Sequence, residues 1–162
     1  MTQKTRLDGK KVAIVDDEPD VLDSLEELLP MCHVQKALSF EEGKRLLEVD
    51  PFDIAILDIM GVQGYDLLKI AKAKKIITVM LTAHAFSPES TIKSFKAGAD
   101  LYVPKDKIGD IVIFLEDVLE AKEKGKSAWW RWLQRLGAHY DEVFEKDWRY
   151  KDKEFWKKFP YA

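Results

Sequence analysis

Asp16, Asp17 and Glu18 stand side by side at the end of the apolar run Val12-Ala13-Ile14-Val15, in the stretch KKVAIVDDEPD. Adjacent carboxylates beside a buried strand repel one another unless a cation or a lysine compensates them. Asp58 closes a second apolar run, Thr82 closes a third, and Lys105 follows a fourth. Hard oxygen ligands of this kind suit Mg²⁺, which takes one or two carboxylates and keeps waters that a phosphate can replace. Each residue also has a plainer use. Asp17 or Glu18 alone is a favourable charge near a helix N-terminus, Thr82 suits a strand end by β propensity, and Lys105 fits a solvated surface.

The elements that must position these groups alternate in period. Strand-length apolar runs cover Lys11 to Asp16, Met31 to Ala37, Asp53 to Asp58, Ile76 to Thr82 and Leu101 to Val103. Between them, EPDVLDSLEELL places apolar residues at 21, 22, 25, 28 and 29, one face of a helix that opens at Pro19. SFEEGKRLLEV starts from Ser39 as an N-cap, GYDLLKIAKAKK follows the third strand, SPESTIKSFKAG stops at Gly98, and GDIVIFLEDVLEAKEK supplies a fifth helix. Five such units predict an α/β fold, a five-stranded parallel sheet with helices on both faces. In an open sheet of this kind the functional crevice lies at the carboxyl ends of the strands, where all the residues above fall.

Five ordered features, IVDDE, AILDIM, VMLTAHA, KAGADLY and VPKD, resemble the receiver domains of bacterial two-component response regulators over roughly residues 10–124. The resemblance implies a flavodoxin-like architecture and a phosphoacceptor rather than a classical enzyme. It makes Asp58 the residue that accepts a phosphoryl group from a sensor histidine kinase or phosphotransfer protein. It implies that Asp16 and Asp17 hold Mg²⁺ with Asp58, the carbonyl of Met60 completing the protein ligands. Lys105 would contact phosphoryl oxygens, and Thr82 would hydrogen-bond the group after transfer. Tyr102 matches the family's aromatic switch, although an aromatic there also packs well as plain core. Met60 and His84 fall where relatives vary side chains to tune phosphoryl lifetime. Two departures stand out: the loop DIMGVQGYD is short and lacks the usual proline, and Pro104 precedes Lys105 instead of following it.

Composition divides the chain near AKEKGKS. Residues 1–124 carry 17 Lys and Arg against 23 Asp and Glu, whereas residues 125–162 carry 9 against 6 and all five tryptophans. Apolar or aromatic residues at 129, 132, 133, 136, 140, 143, 144 and 148 form a helical stripe. A tail of this length is too short for a winged-helix module, so the expectation is a receiver at 10–124 and an aromatic, basic helical extension at 125–162 that does not bind DNA. The stripe has four destinations: its own receiver, a second copy or downstream protein, an anionic membrane surface, or single-stranded nucleic acid. The acids Asp141, Glu142, Glu145 and Asp147 argue against the membrane.

The remaining chemistry is sparse. Cys32 cannot form an internal disulfide, and His33 in MCHV is expected to pack at the second strand; His139 has no visible partner. The N-terminal MTQKTRLDGKK lacks the apolar core of a secretory leader, so a cytoplasmic protein is expected. No second catalytic constellation or cofactor fingerprint supports a metabolic enzyme. The reading is a two-component response regulator signalling through protein contacts, with a degenerate, constitutive interaction module as the alternative.

Overall fold

The computed structural model describes residues 5–83, 88–129, 131, 132 and 134–136. Strands β1 (Lys11–Val15), β2 (His33–Ala37), β3 (Ile54–Asp58), β4 (Ile77–Thr82) and β5 (Leu101–Pro104) alternate with helices α1 (Pro19–Leu28), α2 (Phe40–Val49), α3 (Gly64–Ala73), α4 (Pro88–Lys96) and α5 (Ile111–Glu123). All pairings are parallel and the strand order is β2-β1-β3-β4-β5. The expected architecture is therefore present, and each strand matches its apolar run to within two residues at either end.

Burial follows the layering. Every residue of β3 is buried, as the uninterrupted IAIL run requires of a strand covered on both faces, whereas edge strand β2 keeps only Ala37 buried. His33 lies on that edge and is exposed, so it does not pack as expected. With strand β1 on one side only, β2 has no second neighbour to cover it. Helix α2 starts at the predicted cap: the Ser39 hydroxyl accepts from Glu42 N at 3.2 Å, and the Glu42 carboxylate accepts in return from Leu38 N at 3.0 Å. Helix α4 ends at Gly98, whose φ of 96° needs no Cβ to be accommodated. A short 3-10 turn, Lys105–Asp110, joins β5 to α5.

Beyond α5 the chain turns at Gly125 and resumes helical geometry at 129, 131, 132 and 134–136. Ala128, Trp129, Trp132 and Leu136 are all buried, and the Trp132 amide donates to the Ala128 carbonyl. Within the described residues the aromatic stripe thus packs on its own receiver. His84, His139, stripe positions 133, 140, 143, 144 and 148, and acids 141, 142, 145 and 147 lie outside the described residues. Among those described, no helix is long and apolar enough to cross a membrane.

Candidate functional site

Strand register assembles the crevice. Val15 lies opposite Leu57, so the residue after β1, Asp16, comes level with Asp58 at the end of β3. Asp58 in turn lies opposite Leu81, and Thr82 opposite Pro104, which delivers Lys105 one residue further on. The site sits where the order reverses: the connection after β1 leads to one side of the sheet and that after β3 to the other.

Lys105 is the hub. Its Nζ stands 2.9 Å from Asp16 Oδ2, 3.0 Å from Glu18 Oε1 and 3.4 Å from Asp58 Oδ1, with only 10% of its side chain exposed. Burial works against its charge, but the adjacent Asp16 carboxylate, the hydrogen bond to Glu18 and the field of Asp58 outweigh it and raise its pKa. Asp58 shows the opposite balance. Desolvation, then the neighbouring charge of Asp16, pushes its carboxyl up to about 7 despite Lys105. Asp16 is also raised by burial, partly offset by the Glu18 amide that donates to its Oδ1 at 2.8 Å. One ammonium therefore serves more carboxylates than it can neutralise.

The unmet demand has a direction. Asp16 Oδ2 is fully buried and, although close to Lys105, lacks hydrogen-bond geometry to any described group. Ligand oxygens of Asp16, Asp17 and Glu18 lie within 4.8 Å of one another. A set of hard, anionic oxygens with an unsatisfied member fits Mg²⁺ chemistry. The geometric trio shares Asp16 and Asp17 with the expected Asp16, Asp17, Asp58 and Met60, but it takes in Glu18, which also pairs with Lys105, and does not include Asp58 or Met60. Nothing in the sequence distinguished Glu18 from an ordinary first-turn acid.

The loop after Asp58 is shaped for close approach. A Cβ at Gly64 would stand 2.2 Å from the Asp58 carbonyl oxygen, and one at Gly61, with φ of 81°, would stand 2.4 Å from Asp17 Oδ2. Both glycines let the short DIMGVQGYD segment fold tightly under the acids. Met60 presents its side chain to solvent. Thr82 is buried at the end of β4. Tyr102 is wholly buried, its hydroxyl lying among Thr82, Ser90 and Thr91 without hydrogen-bond geometry to any described residue, and burial pushes its pKa up. The structure brings Asp16, Asp17, Asp58 and Lys105 together, with Thr82 and Tyr102 along the adjoining strands.

The sequence model of the response regulator receiver domain matches residues 12–115, more than half of the chain, and the chain belongs to this family. It is 34% identical over 103 residues to the two-component response regulator ARR18 of Arabidopsis thaliana and 32% identical over 102 residues to the response regulator protein PilR of Pseudomonas aeruginosa. These matches cover 60% and 59% of this chain but only 16% and 23% of those proteins, so the chain spans a small part of the curated relatives' length. Among solved structures, a CheY-like receiver domain protein from Methanospirillum hungatei JF-1 superposes with a TM-score of 0.65 at 31% identity, covering 72% of this chain and 98% of that one. The BeF3-activated DrrB receiver domain gives 0.62 at 29% identity, covering 69% and 98%.

Proposed function

We propose that this chain is the phosphoacceptor of a two-component pathway, taking a phosphoryl group onto Asp58 from a histidine kinase or phosphotransfer protein in the cytoplasm. The observation that carries the reading is the convergence of Asp16, Glu18 and Asp58 on the single ammonium of Lys105, with Asp17 beside them in the same acidic cluster. A carboxylate oxygen of Asp58 attacks the donor's phosphorus; the new O–P bond forms as the P–N bond to the donor histidine breaks, and the imidazole leaves with the electron pair. Asp16, Asp17, Asp58 and the Met60 carbonyl would hold Mg²⁺, which would supply positive charge for the phosphoryl oxygens.

Lys105 is placed to exchange one of its present carboxylate partners for a phosphoryl oxygen, and Thr82 at the end of β4 offers its hydroxyl to another. Later attack of water on the same phosphorus breaks the Asp58 O–P bond, releases inorganic phosphate and returns Asp58 to its carboxylate form. The receiver unit is residues 10–124, and the tail at 125–162 is not a DNA-binding output. The match to a BeF3-activated receiver of another protein supports the use of phosphoryl analogues as probes here.

Intact mass after incubation with Mg²⁺ and a small phosphodonor tests the reading against Asp58→Ala. A gain of one phosphoryl group in the unsubstituted chain alone is expected. No gain in a folded chain that also fails to bind Mg²⁺ would sink it and leave a receiver-shaped interaction module.

A further inference from the structure

The face formed by α4, β5 and α5 carries a ligand from the same chain. Trp129 sets its ring edge-on to Phe95 of α4, with centroids 5.3 Å apart at 77°, and its indole N–H donates to the Ala99 carbonyl at 2.9 Å. Trp132 packs at 5.2 Å from Trp129 and donates to the Tyr102 carbonyl at 2.6 Å. Arg135 grips the Asp117 carboxylate of α5 with two nitrogens, Nη2 at 3.0 Å, and Arg131 reaches the same carboxylate at 3.6 Å. Aromatic anchors with satisfied N–H groups, flanked by a forked arginine on a carboxylate, are the composition of a specific interface rather than of loose collapse.

What the segment grips matters more than how much it buries. The Trp132 bond lands on β5 at Tyr102, and three residues later the same strand delivers Lys105 to Asp58. On its other side the Tyr102 ring is wholly buried, with its hydroxyl among Thr82, Ser90 and Thr91 and without hydrogen-bond geometry to any described residue. The docked segment and the acidic crevice therefore hold the two ends of one four-residue strand, Leu101–Pro104. In the observed arrangement the segment is docked while Lys105 is engaged by Asp16, Glu18 and Asp58. Any state that draws Lys105 toward a new anion works on the strand to which Trp132 is tied.

We propose that the segment carrying Trp129, Arg131, Trp132 and Arg135 is a displaceable intramolecular ligand of the α4–β5–α5 face, coupled through β5 to the chemistry at Asp58, so that docking opposes loading and loading favours release. The regulatory half of this statement rests on the phosphoacceptor reading above; the docking half does not. Linkage makes the effect reciprocal: if the docked segment favours the unloaded crevice, removing it alters affinity for whatever the crevice binds, by the same factor. The segment also occludes the face, so a partner protein reaches Phe95, Ala99 and Tyr102 only after it leaves.

Two readouts on the full chain test the proposal. Amide exchange across 127–136 and β5 is followed before and after loading with Mg²⁺ and a small phosphodonor, with intact mass recording the loaded fraction. Protection of 128–136 should fall at least tenfold on loading. In parallel, the Kd for Mg²⁺ alone is measured on the unloaded chain and on Trp132→Ala and Arg135→Glu, the second being a surface change that spares the core. A Kd at least twofold lower in both variants, with the sheet's melting transition retained in Arg135→Glu, is expected. A chain that takes up no phosphoryl group yet shows that shift loses the phosphoacceptor reading and keeps the coupling. Equal or higher Kd values in the variants, absence of Mg²⁺ binding, or loading with unchanged protection would overturn the coupling.

Discussion

The acidic crevice and the tryptophan clasp lie at opposite ends of the same strand and obey opposite rules. In the crevice, buried carboxylates outnumber their one lysine, Asp16 keeps an unsatisfied oxygen, and Asp58 is pushed up to about 7. In the clasp, both described indole N–H groups find carbonyls and the buried Asp117 has two arginines. Unmet polar demand costs stability and is retained where a ligand can meet it. Met demand stabilises and specifies one arrangement. The difference teaches which region is waiting for something and which already has its partner.

Trp132→Ala should produce the largest change in stability, because it removes the more deeply buried of the two described tryptophans together with its hydrogen bond. A loss of about 3 kcal/mol in denaturant unfolding is expected. Were the cost near zero, the clasp would be no better satisfied than the crevice and the contrast would fail. A loss confined to local opening of 128–136, read by amide exchange, would instead sharpen it by showing that the segment leaves as a unit.

Asp58→Asn should act in the opposite sense in metal-free protein, stabilising it by about 2 kcal/mol above neutral pH, since it removes an under-compensated buried charge. The sign follows from linkage. The folded carboxyl titrates near 7 and its ordinary value is 3.8, so the favourable contribution of the neutral form is complete below the lower value and is lost as pH rises through the upper. The gap between variant and parent should therefore open from about pH 4 and be complete above pH 7. Saturating Mg²⁺ should close it. A variant less stable than its parent at pH 8 would mean that Lys105 already satisfies the crevice.

Much of this contrast was legible in the sequence, for a physical reason. Apolar runs of strand length with acids, a threonine and a lysine at their ends specify a buried parallel sheet and its carboxyl edge, because both depend on local period and chain order. The partner of a side chain far along the chain is not local information. Glu18 looked like any first-turn acid until Lys105 was found 3.0 Å away. The tail stripe announced burial at 129, 132 and 136 but not its destination, since tryptophan and arginine serve an intramolecular seam and an intermolecular one equally well. Asp117 gave no signal, being one charge in an acidic helix whose clamp arrives from Arg131 and Arg135. His33 failed for the converse reason: its neighbours read as strand, and only the sheet order reveals that the strand is an edge.

Gly61→Ala should produce a smaller effect that falls on the crevice alone. The new methyl would meet the Asp17 carboxylate at a backbone φ of 81°, so Asp17 must leave its present place in the acidic cluster. Mg²⁺ affinity should fall several-fold, with a stability cost of about 1 kcal/mol from the left-handed backbone. Equal losses of metal affinity in Gly61→Ala and in a surface control such as Lys44→Ala would detach Asp17 from the metal set.

Arg135→Ala is the smallest and tests the clasp where it is most exposed. Its guanidinium is 37% exposed, so solvent screens the pair and the expected cost is about 1 kcal/mol or less. Asp117 is different, because its carboxylate is buried at 7% exposure and would retain only Arg131 at 3.6 Å. A double-mutant cycle with Asp117→Asn should recover most of the loss, since the neutral amide no longer needs the fork. A coupling near zero would mean that the indoles alone hold the segment and that Arg135 merely rides on it. A substantial coupling, retained in high salt, would make the charged pair a second fastener, one that a competing anion or carboxylate on a partner could engage in place of the chain's own.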